Sequence, residues 1–218
     1  MVAQALIPAI RETVKTNEIG GDTPYKTSFA RKGTSGTSFG FMQGDMNKRP
    51  DAVAALRNAL DAAGVNAAAA ARLVQALSGP QPGGNPLSAA DTKTVNDALA
   101  GAGGRPLVDT LDMTILQGVL DNLDGCIAAA AGRALEVEPM ALLYMAPWIN
   151  MTGAPTTLKK WLGGTPVDGL PPPPPAPMVT AEHMDGYMRA QKFFRENPKN
   201  YTHFTDSVKA GARFLPSA

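Results

Sequence analysis

The chain has almost no cysteine or histidine. Cys126 is its only cysteine, so no intrachain disulfide can form and stability cannot depend on an oxidising compartment. Followed by Ile127 and the alanine run 128–131, Cys126 reads as a small buried residue rather than a nucleophile. His183 and His203 are the only histidines, too few beside one cysteine to predict a zinc site. Charge of one sign is also lacking: the formal net charge is +1, so no global field argues for nucleic acid. No apolar run reaches the roughly 18 residues of a membrane span, which excludes membrane insertion as an expectation. The start, MVAQALIPAIRETVK, has no charged n-region, long apolar segment or A-x-A site. A target outside the cytoplasm would therefore be reached with the help of another system, or the chain is part of a longer one.

What is present is a chain of 218 residues, 44% apolar, enough to bury a sizeable core. Apolar residues at helical spacing (Val2, Leu6, Ile7, Ile10, Val14) predict a helix over 2–17 that stops at Gly20-Gly21. Glu18 then falls on the last turn, at the negative end of the helix dipole, where the uncharged acid is favoured. Residues 22–45 read as a small β element, with strands over 25–30 and 38–43 and a turn over 32–36. Such a hairpin is marginal alone and must lie against helices. The basic residues Arg11, Lys15, Lys26, Arg31, Lys32, Lys48 and Arg49 outnumber the acids of this region, compatible with an anionic polymer or a solvated surface.

From Asp51 the chain is helical and alanine-rich. Asp51 is the expected cap of 52–63, Asn66 of 67–78, and Ser88 with Asp91 of 89–100. The leucine-rich 106–136 predicts the central buried helix, followed by helices over 139–148 and 155–162. Five prolines, 171–175, predict an extended strap carrying the chain to final helices over 180–196 and 199–214. The predicted class is mainly α, a helical bundle around a central buried helix with a small β-hairpin beside a cleft. Its expected organisation is a domain over 1–165, a strap over 166–178 and a C-terminal helical pair over 179–218.

The segment FGFMQGD, 39–45, resembles the glycine-leucine-methionine-glutamine motif of goose-type lysozymes and the related lytic transglycosylases. Asp45 with Lys48 and Arg49 resembles the goose-type continuation. In those families a catalytic glutamate stands upstream at a helix end, separated from the motif by a β-containing segment, and Glu18 holds that place here. A second segment, WINMTG at 148–153, is similar to their AYNAG-type motif, which is also followed by a helix. Three departures are plain. Ile149 replaces a tyrosine, one extra residue separates Asn150 from Gly153, and Glu18-Ile19 replaces Glu-Ser.

The resemblance implies an α+β lysozyme-like fold over about 5–162 and cleavage of the β-1,4 glycan of peptidoglycan without metal or cofactor. Glu18 would be the general acid. If Asp45 or Asp22 activates water, the product is hydrolysed with inversion. Otherwise the 6-hydroxyl of the sugar attacks, as in lytic transglycosylases, and leaves an anhydro end. Tyr25, Ser38, Phe39, Gln43, Trp148 and Asn150 are the expected substrate contacts. Gln43, Thr34, Ser35, Thr37 and Ser38 could equally satisfy hairpin backbone groups, and Tyr144 and Trp148 could equally be core. Rival expectations are a chitosanase or chitinase-like hydrolase of the same fold, and a non-catalytic scaffold binding glycan or a partner through its C-terminal helices and the proline strap. The implied settings are a phage endolysin released by another protein, or an antibacterial effector carried by a delivery system and matched by an immunity partner.

Overall fold

The structure, a computed structural model, describes residues 1–29, 35–153 and 155–216. Arg31, Lys32, Thr34 and much of the expected 32–36 turn lie outside the described residues. The chain is mainly helical with a small antiparallel sheet, and it divides into two compact units. None of the described helices is long and apolar enough to cross a membrane.

One unit comprises Gly21–Ile115. Strands β1 (Ser28–Phe29), β2 (Thr37–Phe39) and β3 (Gly44–Asp45) form an antiparallel sheet in that order, with Ser28 opposite Ser38 and Phe39 opposite Gly44. The strand expected over 38–43 stops at Phe39. Residues Gly40 to Gln43 form a turn instead, with positive φ at both Gly40 (82°) and Gln43 (52°). A buried carboxylate fixes this turn: Asp112 Oδ2 accepts from the Phe41 N–H and Oδ1 from the Met42 N–H, both at 2.9 Å. Two backbone N–H groups that a strand would have paired are thus satisfied by one side chain. Gly40 is required twice over. Its φ is left-handed, and an added Cβ would lie 2.3 Å from Asp112 Oδ1. Gly40→Ala is expected to lose roughly 2–3 kcal/mol, read as a lowered urea midpoint.

Helices α2 (Pro50–Ala62), α3 (Ala67–Leu77) and α4 (Ala89–Ala100) complete this unit with the first part of α5 (Arg105–Ala131). Asn66 accepts from Ala69 N–H and Ser88 from Asp91 N–H, the caps that the spacing predicts. Asp51 does not cap α2. Pro50 starts that helix two residues earlier than expected, because it needs no N–H partner at the first position, and Asp51 pairs with Arg49 in the first turn. Phe39, Leu56, Leu60, Leu73, Leu99 and Val108 make the core, each at most 1% exposed.

The other unit comprises Met1–Gly20 and Leu116–Ala218. Helix α1 runs Ile7–Ile19 after a short 3-10 turn at Gln4–Leu6, with Pro8 in its first turn. The second part of α5 leads through Ala134 (φ 54°) into β4 (Glu136–Val137), so the helix expected to 136 ends five residues earlier. β4 pairs in parallel with β5 (Met178–Val179). Between them lie α6 (Pro139–Thr152), α7 (Thr156–Leu162) and the proline strap, which is tied down where the Trp161 indole N–H donates to the Pro171 carbonyl at 2.8 Å. The chain ends in α8 (Ala181–Ala190), α9 (Lys192–Glu196) and α10 (Pro198–Ala212). The expected single helix over 180–196 is broken at Gln191, whose ψ of 132° is extended.

The helix apolar on every side is α6, not α5. Leu142, Leu143, Met145, Ala146, Pro147 and Ile149 are all buried, whereas Asp109, Met113, Gln117 and Asp121 leave one face of α5 in solvent. Helix α6 packs against α1, α8 and α10, and α10 lies along α1. The α1–α10 approach is close because Gly211 has no side chain: a Cβ there would sit 1.8 Å from Thr13 Oγ1 and 2.6 Å from the Ala9 carbonyl oxygen.

Candidate functional site

Glu18 is the penultimate residue of α1. Gly20, at φ 58°, ends the helix and returns its N–H to the Thr16 carbonyl. The next free carbonyl, that of Asn17, is met by His203 Nε2 from α10 at 2.8 Å. Asn150 stands in the last turn of α6, which ends at Gly153 (φ 74°). Two helix C-termini therefore meet at the glutamate, and both carry the negative end of the dipole.

The carboxyl group itself is held by two amides. Asn150 Nδ2 donates to Glu18 Oε1 at 3.0 Å and Asn17 Nδ2 to the same oxygen at 3.2 Å. Both amides meet Oε1, which leaves Oε2 as the oxygen that would carry the proton of the uncharged acid. Burial raises the Glu18 pKa above its ordinary 4.5, and the two amide hydrogen bonds and the nearby His203 offset only part of the rise. The residue keeps some exposed surface although its carboxyl is largely desolvated. A buried acid that still has an opening is what proton delivery to a ligand requires. The opening is a pocket of about 210 Å³ lined by Asn17, Glu18, Met151, Phe193, Phe194, Asn200 and His203. Trp148 belongs to its support: its ring lies 5.6 Å from Phe194, which in turn packs on Phe204 at 4.9 Å.

Asp45, Asp22, Tyr25, Ser38, Phe39 and Gln43 belong to the Gly21–Ile115 unit. Asp45 Oδ1 accepts from Gly36 N–H at 3.0 Å and Asn47 N–H at 2.9 Å, and Lys48 Nζ lies 3.6 Å from Oδ2. Its carboxylate thus organises the hairpin. Asp22 is largely exposed and pairs with Lys26 at 2.7 Å. Gln43 serves the hairpin too, donating to the Gly40 carbonyl at 2.9 Å and accepting from Ser28 Oγ. Phe39 is fully buried in the core, Ser38 pairs within the sheet, and Tyr25 donates to Asp109 at 2.9 Å beneath the Arg105 guanidinium. A second pocket of about 320 Å³ borders Met46, Lys48, Arg49 and Val53, where both cations already face carboxylates.

Of the residues singled out from sequence, Glu18 and Asn150 are joined directly and Trp148 stands behind them. Sequence reading missed Asn17, His203, Phe193 and Asn200 around the acid, and Asp112 beneath the turn. Asp112 had a signal, since it is a charged residue on the same helical stripe as Val108, Leu116 and Val119. His203 and Phe193 had none, because their position depends on how α9 and α10 return to α1. No family model, curated protein or solved structure matches the chain.

Proposed function

We propose that the protein cleaves the β-1,4 bond between N-acetylmuramic acid and N-acetylglucosamine in peptidoglycan, with Glu18 as general acid. One observation carries the reading. The helix-end glutamate and the asparagine of the WINMTG segment, 132 residues apart, share a hydrogen bond beside an open pocket. They belong to two of the three pieces on which the resemblance to lysozyme-like enzymes rests, the third being the 39–45 segment. In the reaction, Glu18 Oε2–H protonates the glycosidic oxygen as the bond to the anomeric carbon lengthens, and Asn150 and Asn17 stabilise the carboxylate left behind.

The raised pKa fixes the sign of the pH dependence. Activity needs protonated Glu18, so it falls as pH rises through the folded-state pKa, which lies above 4.5. Asn150→Ala removes the principal donor to the carboxylate. It is expected to move the alkaline limb of the profile to higher pH while lowering its plateau roughly tenfold, measured on purified sacculi.

A second reading, the transglycosylase route to anhydro ends, gains from the state of the other carboxylates. Asp45 already accepts two backbone N–H groups, and Asp22 is exposed and ion-paired. Neither is poised as a free base within its own unit. Asp45→Asn keeps the Oδ1 acceptor and is expected to fold normally. Near wild-type turnover in this variant favours the sugar hydroxyl as nucleophile, and a loss of about a hundredfold or more favours Asp45 as the base.

A further inference from the structure

The pocket beside Glu18 is built largely by the C-terminal helices, outside the stretch that resembles lysozyme-like enzymes. Its walls combine an exposed aromatic, a thioether, two amides and an imidazole. Phe193 is 41% exposed and Met151 39% exposed, and they are two of only five large apolar side chains left in solvent among the described residues. Finding both on one small pocket is unlike the scattered singletons of an ordinary surface. Phe193 is also firmly mounted. The adjacent Phe194 is 3% exposed and anchored against Trp148, Tyr201 and Phe204, with the two neighbouring rings 5.2 Å apart. A rigid aromatic face offered to solvent loses little conformational entropy on binding.

We infer that this pocket is a saccharide subsite holding one N-acetylhexosamine unit next to the acid, with Phe193 stacking on the C–H face of the ring and Asn200 bonding its hydroxyl or acetamido groups. The chemistry fits that class. A pyranose has an apolar face for an aromatic ring and a polar rim for amides. At about 210 Å³ the pocket falls below the roughly 300–1,000 Å³ of drug-sized sites, so it takes one ring rather than a disaccharide. The walls hold neither lysine nor arginine and include the carboxyl of Glu18, a lining suited to a neutral hydroxylated ligand and not to a phosphate. The inference rests on the proposed glycan cleavage for its biological meaning, but the binding site stands on its own geometry.

The test uses the full chain and tri-N-acetylchitotriose as probe, followed by titration of amide chemical shifts, with sacculus digestion in parallel. The wild type is expected to bind, with shifts centred on Met151, Phe193 and Asn200. Phe193→Ala and Asn200→Ala should each weaken binding at least tenfold and raise KM without a matching fall in kcat, while Phe193→Tyr restores affinity. Binding undiminished in both alanine variants, or shifts confined to other residues, overturns the subsite. Binding at this pocket without release of fragments from sacculi leaves the subsite standing and removes the proposed activity. Cleavage with wild-type KM in both variants does the reverse.

Discussion

Glu18→Gln is expected to fold normally and lose roughly a hundred- to ten-thousandfold of glycan-cleaving activity, the range for removing a general acid. Glutamine keeps the Oε1 acceptor used by Asn150 and Asn17, so the junction of α1 and α6 survives. What disappears is the transferable proton. A structural role for Glu18 gives a different result, because stability and activity would then fall together. A carboxyl whose folded-state pKa is raised above its unfolded value stabilises the fold in its protonated form, below the unfolded pKa. That stability is lost as pH rises through the folded-state value. Glu18→Gln should therefore match the wild type at acidic pH and exceed it in stability above the folded pKa, while activity stays reduced by that factor throughout. Denaturant curves at several pH values read the first half of the expectation, and sacculus clearing reads the second.

Gly211→Ala is expected to have the largest effect on stability, about 3 kcal/mol, at the upper end for overpacked cores. The new methyl cannot be absorbed by side-chain motion alone. Besides Thr13 Oγ1 at 1.8 Å, the methyl meets the Ala9 backbone carbonyl at 2.6 Å, and Thr13 is fully buried and bonded to that same carbonyl. Helix α10 must move away from α1. In a chain of this length the loss corresponds to a fall in melting temperature of roughly 6–12 °C. The displacement also has a functional signature. Asn200 and His203 travel with α10, so water reaches Glu18 and its pKa returns toward 4.5. The alkaline limb of activity should shift to lower pH in this variant, opposite in sign to Asn150→Ala. A Gly211→Ala protein with unchanged melting and unchanged pH profile contradicts the described contact.

Local rules were enough for much of the fold. The end of α1 at a glycine, the caps at Asn66 and Ser88, and a small sheet between helices all follow from residue types within a few positions of each feature. The errors came where distant residues decide. A turn stands at 40–43 in place of a strand because Asp112, some seventy residues on, takes its two N–H groups. The leucine stripe of 106–123 pointed to the wrong buried helix: its leucines fill one face, and Asp109 and Asp121 keep the other wet. PMALLYMAPWINM offers no polar face at all and is the helix that α1, α8 and α10 enclose. At the site, Glu18 and Asn150 were legible through the resemblance of their segments. The pocket wall was not, because Phe193 and Asn200 reach it only through the break at Gln191 and the packing of α10 along α1.

The most direct measurement is mass analysis of the fragments released when purified peptidoglycan is digested by the wild-type protein beside Glu18→Gln. The expected result is disaccharide-peptide fragments ending in N-acetylmuramic acid or its anhydro form, one water lighter, from the wild type, with fragment release by the variant reduced at least a hundredfold. Intact sacculi after prolonged digestion by a folded wild-type protein, or equal fragment release by the variant, contradicts glycan cleavage through Glu18.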